Sequence, residues 1–184
     1  MLRETGYTNT TMTAIARSAG VSSANIYVYF ESKLEILFAL YDPWMRQHLT
    51  ALEQRALEIK DPEQRLRAIF RGLWLELPAL ENGYANNLMQ ALSTASAQDN
   101  YSRELLTWAE EKVSNLLAPC LPEHRRFVIE DSRLTHVLFM AFDGFVMNHR
   151  FHGPSRRMDA IVDVMVSLLL DNAPPRKAHG CVPR

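Results

Sequence analysis

The sequence predicts an all-α protein in which a small N-terminal helix-turn-helix precedes a larger helical domain. Apolar residues recur at intervals of three and four along almost every segment, as in amphipathic helices, and no segment alternates with period two. Gly20, Gly83 and Gly153 fall at joints between these segments, where glycine commonly ends a helix. Apolar residues make up 47% of the chain and charged residues 22%, which is typical of a folded globular protein.

The charge and the cysteines exclude several classes of protein. The net charge of −1 excludes nucleic-acid binding through overall charge, so any contact with DNA has to be local. Cys120 and Cys181 lie far apart, without the spacing of a metal or redox site, and suit a reducing compartment. The chain opens without a signal peptide, and no apolar run approaches the roughly 18 residues that span a membrane. We therefore expect a cytoplasmic protein without membrane partner, cofactor or metal site.

The helices can be placed in order from their caps and breaks. Two short helices are predicted at 12–19 and 23–30, and a long helix follows Ser32, which forms a capping box with Glu35. Pro43 should kink or break this long helix, because proline removes a backbone hydrogen bond. The later helices are predicted at 62–79, 84–97, 100–118, 123–151 and 156–172.

The proline also suggests a domain boundary. We expect a DNA-binding domain over residues 1–42 and a helical effector-binding and dimerisation domain over 43–172. The polar, proline-rich tail at 173–184 is expected to be disordered.

The first two helices show the pattern of a helix-turn-helix. Thr10 or Thr11 caps the first helix, and the small Ala16 on its inner face lets the second helix cross closely. Gly20 ends the first helix, since glycine accepts the left-handed conformation. Val21 is expected as a buried plug in the turn.

The second helix is predicted to turn a polar face outward. Ser22 caps it, and Ile26 and Phe30 lie four residues apart on its inner face. Hydroxyls and amides can reach base edges and phosphate oxygens, and a methyl group can contact a thymine methyl. The side chains predicted to face outward are Ser23, Ala24, Asn25, Tyr27 and Tyr29.

The order of residue types over 6–33 closely resembles the DNA-binding region of the TetR family of bacterial transcription regulators. The many coincident positions make this resemblance specific. The residues that carry it are Gly6-Tyr7, Thr10-Thr11, Ile15-Ala16, Ala19-Gly20-Val21-Ser22, Ile26-Tyr27, Tyr29-Phe30 and Ser32-Lys33.

The resemblance implies roles for these residues on DNA. Thr11 is expected to contact a phosphate, and the three residues from Ser23 to Asn25 are expected to read bases. Tyr27 and Tyr29 are expected to bind phosphates; the alternative is that their rings only pack against the domain. Lys33 is also expected to bind a phosphate; the alternative is that it is a solvated surface lysine. The full DNA-binding set is Thr11, Ser22, Ser23, Ala24, Asn25, Tyr27, Tyr29 and Lys33.

One departure from the family concerns the first helix. The family's homeodomain-like fold has a full helix before the Gly-Tyr pair, and here only residues 1–5 correspond to it. We expect either an in-frame start further upstream or a truncated paralogue whose helix-turn-helix, the reader of the DNA sequence, binds DNA weakly. The intact mass of the natively expressed protein distinguishes the two.

The last two helices predict a homodimer. They are apolar over most of their circumference, so each has to be buried on more than one side. A two-fold interface of four helices satisfies this requirement, and it would set two reader helices one DNA turn apart, about 34 Å, on a pseudo-palindromic operator. The residues predicted at the interface are Phe142, Phe145, Val146, Ile161, Met165 and Leu168.

The middle helices are expected to enclose an effector pocket. Apolar walls with a few polar groups would suit an apolar or aromatic small molecule, although the same residues could form plain core. The candidate lining residues are Phe70, Trp74, Tyr84, Met89, Tyr101, Trp108, Phe139 and Met140.

These patterns favour a DNA-binding transcription regulator, a repressor that a small-molecule effector releases from its operator. The alternative is a dimeric helical sensor or interaction protein that has lost DNA binding through truncation. An all-helical enzyme is disfavoured, because no catalytic motif is present. His149 and His152 lie three residues apart in the sequence, but two imidazoles near a helix end do not predict a metal site.

Overall fold

The computed structural model describes residues 2–80, 84–94, 104–152 and 156–170, and within these ranges all regular structure is helical. One π-helical turn spans Gly72–Glu76, and 3-10 helices span Ala118–Cys120 and Glu123–Ser132. The α-helices are α1 Leu2–Asn9, α2 Met12–Ser18, α3 Ser23–Tyr29, α4 Lys33–Glu58, α5 Pro62–Arg71, α6 Leu77–Ala79, α7 Tyr84–Thr94, α8 Glu104–Leu117, α9 Arg133–His152 and α10 Arg156–Leu170.

Helices α2 and α3 form the predicted helix-turn-helix. Thr11 caps α2 by accepting a hydrogen bond from the backbone N–H of Ala14 at 3.2 Å, and Gly20 in the turn has a φ of +72°. Ala16 is buried where the helices cross. The predicted burial of Val21 is wrong: its side chain is 38% exposed.

Helix α4 is a single helix of 26 residues that runs through Pro43. Ser32 caps it by accepting from the N–H of Glu35 at 3.2 Å. The predicted break does not occur. Pro43 has no N–H to donate to the carbonyl of Ala39, four residues earlier. Both residues are exposed, so water can donate a hydrogen bond to that carbonyl instead. The predicted division after residue 42 thus falls inside a continuous helix.

The second domain packs around α5 and the π-helical turn that continues it. Phe70, Trp74 and Phe145 stack in a row with ring centroids 4.9 and 4.7 Å apart, and the indole N–H of Trp74 donates to the carbonyl of Leu138 at 3.2 Å. The widened turn directly precedes Pro78, whose ring crowds the carbonyl four residues earlier. This stack joins α5 to α9.

The helix predicted at 123–151 is interrupted. Residues Glu123–Ser132 form a 3-10 segment, and Asp131 and Ser132 have φ of 52° and 56°. No glycine or proline marks this break in the sequence, so the apolar periodicity alone extended the helix across it. Helix α9 begins only at Arg133.

Ion pairs tie α10 to α5. Arg67 pairs with Asp163, and Arg71 pairs with Asp159, so that two arginines one turn apart face two aspartates one turn apart. None of the helices in the described ranges combines the length and apolar character that crossing a membrane requires. The predicted tail at 173–184 lies outside the described residues.

Candidate nucleic-acid interface

Helix α3 presents one face to solvent and one to the core. Ile26 is buried, whereas Tyr27 and Tyr29 are 54% and 71% exposed. The remaining predicted base-reading residues, Ser23, Ala24 and Asn25, are exposed as well. The local burial therefore leaves the predicted DNA-facing side chains on the outside of the domain.

Val28 is a further outward residue that the sequence analysis missed. Its side chain is 75% exposed, more than any other large apolar side chain in the part of the chain that the structure describes. An apolar group at this place can contact a thymine methyl in a major groove. Its position between Tyr27 and Tyr29, both predicted to face outward, could have indicated its exposure from the sequence.

The capping hydroxyls of Thr11 and Ser22 can each donate a hydrogen bond while they cap their helices. Thr11 Oγ1 accepts from the N–H of Ala14, and Ser22 Oγ accepts from the N–H of Asn25 at 3.1 Å. Each hydroxyl can still donate its own proton, and both residues are exposed. Capping is thus compatible with the predicted phosphate contacts.

The Lys33 side chain makes contacts within the chain that the sequence did not predict. Its Nζ donates to the carbonyls of Tyr7 and Thr10, both at 2.7 Å, and lies 4.1 Å from the centroid of the Tyr7 ring. Burial lowers the pKa of the Lys33 ammonium. One of these carbonyls lies in the last turn of α1 and the other just beyond it, and the Tyr7 carbonyl also accepts from the N–H of Thr10 at 3.2 Å. The structure thus gives Lys33 internal contacts, and its phosphate contact stays a prediction.

A side-chain contact between Thr8 and Gln90 joins the helix-turn-helix region to the second domain. Gln90 of α7 accepts hydrogen bonds through Oε1 from the N–H and the hydroxyl of Thr8 in α1, both at 3.3 Å. Sequence reasoning missed Gln90, because nothing in its neighbourhood marks a polar residue 82 positions from its partner.

The outer faces of α9 and α10 carry an apolar surface. Phe142 and Val146 do not belong to it, contrary to the prediction, because both are buried within the subunit. Phe145, Ile161 and Met165 are only partly buried. The exposed apolar residues of this surface are Val137, Met140, Met147, Val164 and Leu168, with exposures from 39% to 61%.

A groove lies in this apolar surface. It has a volume of about 330 Å³ and runs beside Gly144, whose missing side chain leaves open space. Its other lining residues are Ala141, Phe145, Asn148, Arg157, Met158 and Ile161.

Within the described residues, the predicted effector-pocket residues divide between the core and the surface of the second domain. Phe70, Trp74 and Phe139 belong to the packed core, and Met140 is 51% exposed on the apolar surface of α9. Their aromatic and helical spacing reflects packing between helices. Met89 and Trp108 only flank the core, while the side chain of Tyr84 and the whole of Tyr101 lie outside the described residues.

A cavity does occur between α4 and the π-helical turn. Its volume is about 220 Å³. It is lined by His48, Ala51, Leu52, Arg55, Gly72, Glu76, Leu77 and Leu80.

Comparisons with known proteins agree with this arrangement. Residues 1–40 match the sequence model of the family described as bacterial regulatory proteins, tetR family. Over 69 residues the chain is 30% identical to the fatty acid metabolism regulator protein of Bacillus subtilis strain 168, a match that covers 38% of this chain and 36% of that protein. The chain thus matches little more than a third of that relative's length.

Two solved structures share the fold over nearly the whole chain. The fatty acid degradation regulator FadR of Bacillus halodurans is 25% identical, with a TM-score of 0.57, and the alignment covers 91% of this chain and 88% of that one. The transcriptional regulator FadR of Bacillus subtilis in complex with stearoyl-CoA is 21% identical, with a TM-score of 0.56 and coverage of 94% and 93%.

Proposed function

We propose that this chain, whose residues 1–40 match the model of the bacterial regulatory proteins of the tetR family, is a member of that family and a DNA-binding transcription regulator that acts as a homodimer. The observation that carries the proposal is the outward face of α3. Three neighbouring side chains there, from Tyr27 to Tyr29, are more than half exposed, although aromatic and β-branched side chains are usually at least partly buried. Together with the exposed amide of Asn25, they supply the chemistry that reads a major groove.

The apolar surface of α9 and α10 supports a two-fold dimer. Exposed apolar side chains concentrated on one face mark an interaction site, and a self-complementary face generates a closed pair. The groove beside Gly144 offers a hole into which an apolar side chain of a second copy can insert. Dimerisation would then place two α3 helices on neighbouring half-sites.

We propose further that the protein is a repressor and that a small molecule with an apolar chain releases it from the operator. The named relatives support an acyl compound: one regulates fatty acid metabolism and one was solved with stearoyl-CoA. Such an effector need only bind the non-DNA conformation better, by a coupling of about 1–3 kcal/mol.

Two structural connections, the continuous helix α4 and a hydrogen-bonded contact, would transmit effector binding to the reader. Helix α4 extends without a break from the cap at Ser32 to residues that pack in the second domain, such as Leu52 and Ala56. The hydrogen bonds between Thr8 and Gln90 give the same two regions a second connection. A shift of α7 or α4 would therefore change the spacing of the two readers.

The test is a DNA-binding assay with fragments selected from genomic DNA by the purified chain. The double variant Asn25→Ala with Tyr29→Ala is expected to lose at least tenfold in affinity. The matched control, Asn115→Ala with Phe127→Ala, removes an exposed amide and a 53% exposed ring from the second domain and should bind DNA unchanged. Equal binding by both variants would reject α3 as the reader.

The alternative function, a dimeric helical sensor that does not bind DNA, has a different signature. It predicts a stable dimer in sedimentation and no shift of any DNA fragment at low salt. Low salt is the decisive condition, because contacts with phosphates strengthen as salt is removed.

A further inference from the structure

The cavity between α4 and the π-helical turn combines a buried apolar floor with a polar mouth. Leu52 and Leu77 are buried, whereas Arg55 and Glu76 are exposed, and His48 lies between these extremes. The volume of about 220 Å³ has room for roughly seven groups of the size of a water molecule, each about 30 Å³.

The two helices that line the cavity approach each other closely at Gly72. A Cβ added to Gly72 would lie 2.4 Å from Cδ1 of Leu52, so a larger residue at this position would require the Leu52 side chain to move. The turn is π-helical, a widening that proteins often place at functional sites.

The polar mouth already binds a carboxylate. The Arg55 guanidinium donates to Glu76 Oε2 at 2.8 Å, with side-chain exposures of 59% and 48%. An ion pair so exposed contributes little free energy, so a carboxylate from a ligand can replace that of Glu76 at small cost. Burial lowers the pKa of His48, so its ring is neutral at pH 7 and adds a hydrogen-bond donor without a second charge.

We infer that this cavity binds a short aliphatic monocarboxylate of about six carbons, whose carboxylate replaces Glu76 on Arg55 and whose chain lies against Leu52 and Leu77. The binding follows from the cavity alone. Its consequence for DNA rests on the proposed function, because α4 lines the cavity and leads to the reader.

The test is calorimetric titration of the full chain, without DNA, with sodium hexanoate and with hexan-1-ol. Arg55→Gln is expected to weaken hexanoate binding at least tenfold and to leave hexan-1-ol binding unchanged. Glu76→Gln removes the competing carboxylate and is expected to strengthen hexanoate binding severalfold. Absence of hexanoate binding by the unmodified chain, or weakening by both substitutions, would overturn the inference.

Two further arms make the result specific. Arg71→Gln removes a half-exposed arginine that pairs with Asp159 away from the cavity, and it should bind hexanoate like the unmodified chain. Hexanoyl-coenzyme A replaces the carboxylate by a thioester; if it binds more tightly than hexanoate and is insensitive to Arg55→Gln, the carboxylate assignment is wrong.

A DNA arm separates this inference from the proposed function. Hexanoate that lowers DNA affinity in the unmodified chain but not in Arg55→Gln supports both. A chain that binds hexanoate in the absence of DNA and never binds DNA supports the cavity assignment and overturns the regulator.

Discussion

Removing the Lys33 ammonium tests whether this residue holds α1 or contacts DNA. The substitution Lys33→Met keeps the aliphatic stem that passes Tyr7 and deletes the two hydrogen bonds and the cation–π contact. The structural account predicts a local loss of stability at the end of α1. The account based on the sequence alone predicts a lost phosphate contact.

The magnitude follows from the three contacts. A hydrogen bond from a charged group contributes about 1.5–3 kcal/mol, and a cation–π contact at an exposed site contributes about 0.5–1 kcal/mol. Lys33 is only half-buried, so water can reach the two carbonyls in the variant and restore much of this interaction. We expect a net loss of about 1–2 kcal/mol, or about 5- to 30-fold faster exchange of the α1 amides.

Hydrogen exchange and the salt dependence of DNA binding together decide between the accounts. Each phosphate contact adds about 0.9 to the slope of log K against log salt. Lys33→Met should therefore leave the slope unchanged while α1 exchanges faster, and Lys60→Met, an exposed lysine beyond α4, should change neither. A slope reduced by about 0.9 with unaltered α1 exchange would refute the internal role.

The remaining predictions concern the dimer and the pH dependence of stability. The double variant Met140→Glu with Leu168→Glu should sediment as a monomer, because both side chains are more than half exposed on the apolar surface. The control Leu57→Glu changes a similarly exposed residue of α4 and should still sediment as a dimer. Sedimentation of all these variants as dimers would contradict the proposed interface. Burial lowers the pKa of His48 below the 6.5 of a free imidazole, so the unfolded chain takes up the proton first, and the free energy of unfolding should fall as the pH drops through 6.5. His48→Gln should flatten this fall in urea unfolding, and an identical decline in the variant would show that His48 is not responsible.

The local features of the helix-turn-helix could be predicted from the sequence. The caps at Thr11 and Ser22 involve a side chain and an N–H only three residues apart, and the inward position of Ile26 follows from the helical period. Interactions of this range depend on few neighbours, so the outward face of α3 was predictable before any tertiary contact was known.

Tertiary structure alone decided which sides of the later helices face outward. In α9 the run from Val137 to Phe142 is apolar at every position, so periodicity could not distinguish the buried Phe142 from the exposed Met140. The contact of Lys33 with Tyr7 spans 26 positions and that of Thr8 with Gln90 spans 82. Such contacts depend on where distant helices come to lie, which local propensity does not encode, because the burial of a side chain is a property of the whole packed core.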